Sequence, residues 1–161
     1  MMKTIKSQQG VILIEALIGI LVFALGILAM VGLQALSISN TTQSRNRAEA
    51  SYFANQIIGR MWVADKTQLA TYANYGGAAS NCDNPAGAAS ANANVANWLK
   101  AVRGLDGSGN PIAGKGLPST TDDRAQISVA GSVVTVRVCW RNPQETNWHV
   151  YVVTANINNA I

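Results

Sequence analysis

The chain has 161 residues, enough for one domain with a helical extension. Apolar residues make up 48% and charged residues only 12%, where an ordinary soluble domain carries about 25% charge. The formal net charge of +4 is spread thinly, unlike the basic footprint of a dedicated nucleic-acid binder, and two cysteines outside any CxxC with one histidine, His149, do not supply the four ligands of a closed zinc site.

Residues 1–10 contain Lys3 and Lys6 and no acid. Val11 to Leu33 then run for 23 residues with one charge, Glu15. At 1.5 Å per residue that segment is about 35 Å long, sufficient for a bilayer core of ~30 Å. The basic residues ahead of it place the N-terminus in the cytoplasm and residues 34–161 outside the inner membrane. The apolar stretch is too long for a cleaved secretory signal, and no small-x-small site with a polar start follows it. An ordinary signal anchor accounts for the length and leaves Glu15 without a purpose. A carboxylate deep in a membrane helix costs roughly 2.5–3.5 kcal/mol on insertion scales. About one turn into the run, near the interface and the positive end of the helix dipole, it costs less.

The sharper reading starts at Gly10. Cleavage after Gly10 would leave Val11 with a free amine, a cation at neutral pH. Among parallel helices, Glu15 of one subunit could pair with the Val11 amine of its neighbour. Such a pair sets axial register more than it adds net stability. This pattern resembles the class III signal of type IV pilins and pseudopilins: a basic leader, a glycine, then an apolar helix with Glu at its fifth position. The usual family stretch is G-F-T-L-I-E, and residues 10–15 read G-V-I-L-I-E. Gly10, Leu13, Ile14 and Glu15 match. Val11 stands where Phe is usual and Ile12 where Thr is common. The continuation to Gln34, with Gly26, Gly32, Leu33 and Gln34, resembles minor pilins of the PilV family. The resemblance implies removal of residues 1–10 by prepilin peptidase and N-methylation of Val11. It further implies an inner-membrane precursor that assembles through Glu15 and helix packing. Its partners would be other minor pilins, the major pilin and the inner-membrane assembly platform, its destination the pilus, and its roles adhesion, twitching motility or DNA uptake. A minor pseudopilin of a type II secretion system uses the same physics and is the nearest alternative. A monomeric membrane-anchored periplasmic binding domain is another.

Beyond the membrane-length run, Ala50, Phe53, Ala54, Ile57, Ile58 and Met61 recur at helical spacing and predict an amphipathic stripe. One long helix is therefore expected from about Val11 to Val63, with Asn40, Thr41 and Thr42 as weak helix formers where it could bend. Residues 76–97, rich in Gly, Ala, Asn and Ser, read as a loop. Val95, Trp98, Leu99 and Val102 predict a short amphipathic helix capped by Asn92 or Asn94. Glycines at 104, 107, 109, 114 and 116, with Pro111 and Pro118, make a second loop. Asp106–Asn110 in it is a plain turn, lacking the later acid of a calcium loop.

Three strands are expected next: Gln126 to Val129, Val133 to Trp140 after a Gly131–Ser132 turn, and Trp148 to Thr154 after Asn142–Pro143. Val134, Val136, Val138 and Trp140 share the face that should pack on the helix stripe. Val133, Thr135, Arg137 and Cys139 share the other, facing outward or under the long loop. Cys139 could then reach Cys82, and an exported domain favours that bond, with two free thiols as the alternative. The expected class is α+β, a pilin fold with a long N-terminal helix on a C-terminal antiparallel sheet, divided as 1–10 leader, 11–33 membrane or filament-core helix and 34–161 globular domain.

Catalysis is not expected. The serines lack a G-x-S-x-G setting, no phosphate loop or nucleotide fingerprint occurs, Asp122–Asp123 reads as a solvated turn, and His149 as an ordinary strand residue. No cofactor or metal is expected. DNA contact through Arg124, Arg137 and Arg141 is a further reading, to be tested by salt dependence.

Overall fold

The computed structural model describes residues 9–143 and 145–158, so the leader expected over 1–10 falls largely outside the described residues. The chain divides into two compact units, Met1–Gln43 and Ser44–Ile161. The layout is α+β: a long N-terminal helix, a second short helix and a small antiparallel sheet.

Helix α1 runs Gln9–Val63. In the first unit its apolar side chains from Val11 to Ile38 are all exposed. The weak helix formers at 40–42 do not end it. The Thr41 and Thr42 hydroxyls donate back to the Ser37 and Ile38 carbonyls at 2.9 and 3.0 Å, supplying local partners within the helix.

In the second unit the expected stripe is the buried one. Ala50, Ala54, Ile57, Ile58 and Met61 are buried and Phe53 packs at their margin. The helix ends at Val63, where Lys66 turns back over its open carbonyls. Its Nζ donates to Met61 O at 3.0 Å, Ala64 O at 3.2 Å and also to Trp62 O, a cation at the negative end of the dipole. A 3-10 helix, Lys66–Tyr72, follows and carries Leu69 and Tyr72 into the core. Its first turn is capped by Asp65, which accepts from Thr67 N and Thr67 Oγ1 at 2.9 and 2.8 Å. These contacts join residues without hydrophobic periodicity, so no sequence pattern announced the element.

Helix α2 is Ala93–Val102, capped by Asn92, whose side chain accepts from Asn94 N at 2.9 Å. The loop expected over 76–97 therefore ends at Asn92. Val95, Trp98, Leu99 and Val102 are the buried side chains of α2, as their spacing requires. Trp98 is fully buried, and its Nε1 donates to Phe53 O at 2.8 Å, tying α2 to α1 by a polar bond within an apolar contact.

The sheet is a meander of β1 (Ala125–Ala130), β2 (Val133–Trp140) and β3 (His149–Asn156), antiparallel throughout in the order β1-β2-β3. Ala130 pairs with Val133, leaving Gly131–Ser132 as a two-residue turn. Gly131 has φ +61°, the left-handed value that the first central residue of a type II′ hairpin requires. β3 starts one residue later and ends two residues beyond the expected Thr154. Ile127, Val134, Val136, Val138 and Trp140 face the core shared with α1 and α2.

Candidate functional site

Two regions hold the residues singled out in the sequence. The first is the start of α1. Gly10 is the second residue of the helix as described. Val11 is 62% exposed, and Glu15 is exposed and makes no ion pair with any described residue. An 18-residue stretch of the helix has a mean hydropathy of 2.9 and is wholly unburied. The helix is therefore long and apolar enough to cross a membrane. Gly19, Gly26 and Gly32 have open space where a Cβ would stand.

The second region is the outer face of the sheet. Cys82 and Cys139 form a disulfide with Cα atoms 5.7 Å apart, across a sequence separation of 57. Both ends are buried. The bond fastens the Gly/Ala/Asn loop to the middle strand, and the neighbouring loop carbonyls are taken by side chains from the sheet side. Gln126 Nε2 donates to Asn81 O at 2.8 Å, Arg137 Nη1 donates to Ser80 O, and Arg124 Nη1 donates to Cys82 O. A loop with little apolar content is thus held by side chains that satisfy its backbone.

The near edge of that loop is joined to β1 by Asn74. Its backbone exchanges hydrogen bonds with Ile127 at 3.0 and 2.8 Å. Its fully buried amide donates to Asp122 O and Ala125 O at 3.0 and 2.7 Å and accepts from Ser90 N at 3.0 Å. Two residues on, Gly76 passes so close to β1 that a Cβ there would lie 2.1 Å from Ile127 O. Sequence reading missed Asn74, one asparagine among many beside a low-complexity loop.

Arg124, Arg137 and Arg141 do not form one open basic surface. Arg137 and Arg124 are tied to loop carbonyls as described, and Arg124 also lies 3.9 Å from Asp123. Arg124 and Arg141 stack over the Trp148 ring, at 4.9 and 4.7 Å from its centroid, a double cation–π contact on the turn before β3. His149 is more engaged than the sequence suggested. It lies 2.6 Å from Glu145 Oε2 and stacks on Trp140 with ring centroids 5.6 Å apart. Asp122 pairs with Arg103 at 3.0 Å.

The Asp106 turn closes on itself. Its Oδ1 accepts from the Ser108 and Asn110 amides, each at 2.8 Å. The Asn110 backbone N–H is the main cause that holds this carboxyl below its usual value. Asp65 is lowered likewise, first by the Thr67 backbone N–H and then by the Thr67 hydroxyl. Among the described residues no group of three His, Cys, Asp or Glu is placed to hold a metal. Comparison with known proteins found no matching family model, no curated relative and no similar solved structure.

Proposed function

We propose that this chain is the precursor of a minor type IV pilin that primes pilus growth from the inner membrane. The observation that carries the reading is Glu15. It is the single charge between Val11 and Leu33, five positions after Gly10, on a helix whose apolar side chains are exposed in their own unit. Neighbouring helices in a filament would supply the missing apolar surface, and the lipid bilayer supplies it before assembly.

In this reading the N-terminus is cytoplasmic and residues 34–161 are periplasmic before assembly. Prepilin peptidase cuts between Gly10 and Val11. Gly10 carries no side chain, so the backbone at the cut is sterically open to the peptidase. The methylated Val11 amine then stays cationic and meets Glu15 of an adjacent subunit, which fixes the axial offset between helices. Other minor pilins, the major pilin and the assembly platform are the partners.

The test is the mass of the N-terminal peptide from the full chain expressed with and without prepilin peptidase. The expected product begins at N-methylated Val11 only when the peptidase is active. An intact leader beside an active peptidase would sink the proposal. Glu15→Ala should still be cleaved and inserted but be absent from sheared filaments. Its recovery in those filaments at wild-type level would remove Glu15 from the mechanism.

A further inference from the structure

On the outer face of the sheet, beside the loop fastened by the disulfide, lies a cleft of about 160 Å³. Its lining includes Ser80, Gln126, Ser128, Thr135 and Arg137. The register explains the grouping. Gln126 is paired with Arg137, and Ser128 with Thr135, so two polar rows stand side by side on β1 and β2. β3 extends the second row with Thr154, whose hydroxyl is 3.1 Å from that of Thr135.

Arg137 is the unusual member. It is half-buried, yet makes no ion pair with any described residue. Its Nη1 donates to two neutral oxygens, Ser80 O and Gln126 Oε1, the latter at 3.1 Å. Gln126 is itself buried and locked, since its Nε2 donates to Asn81 O and Asp123 O at 2.8 and 3.1 Å. The guanidinium is therefore positioned by groups that leave its charge uncompensated. A guanidinium has five N–H donors, and occupation of Nη1 leaves the Nε–Nη2 edge uncommitted among the described residues. That edge carries two parallel donors at the spacing of a carboxylate's two oxygens. The Ser128 hydroxyl in the same cleft makes no hydrogen bond with any described residue. A partly buried cation favours a counter-charge, and one guanidinium with hydroxyl donors balances a monoanion.

We propose that this cleft binds a single carboxylate group, held by the Nε–Nη2 edge of Arg137 and by the hydroxyls of Ser128 and Thr135. The site does not depend on filament assembly. A doubly charged phosphate would remain half-neutralised and is disfavoured.

The experiment uses the ¹⁵N-labelled full chain in zwitterionic detergent micelles, titrated with sodium acetate. Sodium chloride and inorganic phosphate at matched ionic strength are the comparisons. The Ser128 and Thr135 amide resonances should shift and saturate with acetate in the millimolar range, as expected for so few contacts. Chloride should not reproduce the effect. Arg137→Gln should abolish it, but Arg137 also anchors the loop. Ser128→Ala is therefore the separable variant, because its hydroxyl supports nothing in the fold. With near-ultraviolet circular dichroism unchanged, it should weaken acetate binding about tenfold, the loss of one hydrogen bond to a charged group. A drift equal to that with chloride, unchanged affinity in Ser128→Ala, or tighter binding of phosphate than of acetate would each overturn the assignment.

Discussion

Asn74 has both its amide and its backbone engaged, and no water can replace them because the residue is fully buried. Asn74→Ala strands the Ala125 and Asp122 carbonyls and the Ser90 amide. The expected loss is about 2–3 kcal/mol, since a buried group left unpaired costs about 1–3 kcal/mol. Urea unfolding followed by tryptophan fluorescence measures it, and a loss within error would show that the loop is held elsewhere. Asp65 and Asp106 give a pH signature. Both carboxyls are held below their usual value in the folded chain by hydrogen bonds to the ionised form. A lowered folded value means the stabilisation is complete above the ordinary carboxylate range and disappears as pH falls through the lowered values. The urea midpoint should therefore decline on acidification through that window. Asp106→Asn should reduce the decline, and an unchanged pH slope in that variant would exclude Asp106 as a contributor.

At the scale of elements, the second half of α1 and helix α2 are stabilised by one another and by the inner face of the sheet. Ten residues of α2 are too few to persist alone in water, because isolated helices shorter than about 12–15 residues are marginal. Its cap, Asn92, and its buried stripe therefore work only in the presence of α1. Trp98 is the largest of the fully buried side chains. Trp98→Ala removes a fully buried ring and its bond to Phe53 O, and should cost about 3–5 kcal/mol. Trp98→Phe keeps much of the apolar volume and should cost clearly less. Equal losses in the two variants would mean that the Nε1 bond, rather than packing, holds α2 in place. The 3-10 helix from Lys66 belongs to the same scale. Lys66, its first residue, donates to the Met61 and Trp62 carbonyls at the end of α1 and to Ala64 O just beyond it, while Asp65 caps the new helix.

For the whole molecule, the Cys82–Cys139 bond is the longest-range covalent constraint. It closes a loop across a separation of 57 residues, worth about 4 kcal/mol on the chain-entropy model. Cys82→Ser with Cys139→Ser should lower the unfolding free energy by about that amount. The α1–α2 core should persist, because its residues lie on the other side of the sheet. The loop carrying Ser80, Asn81 and Cys82 should lose amide protection first, read by hydrogen exchange. Loss of protection in α2 at the same rate would show that the loop and the core open as one unit.

Sequence alone determined the parts that depend on local periodicity or local chemistry. The apolar run from Val11 and the stripe from Ala50 to Met61 were legible because a helix repeats every 3.6 residues. The alternation in β2 was legible because a strand repeats every two. An asparagine cap for α2, at Asn92 or Asn94, and the Gly131–Ser132 turn were legible because each requires a particular residue type, and the fold selects Asn92. The disulfide was the favoured pairing, because the outward facing of Cys139 made Cys82 reachable and export favours oxidation, and the bond is formed. Tertiary structure alone decided the 3-10 helix after α1, the role of Asn74, the two arginines on Trp148 and the cleft at Arg137. Each joins side chains to backbone or rings that are distant in sequence, and an Arg or Asn has no periodic signature that shows which distant carbonyl it will meet. Only when the loop is laid across the sheet do two Nη1 protons find neutral acceptors, leaving one edge of the guanidinium uncommitted.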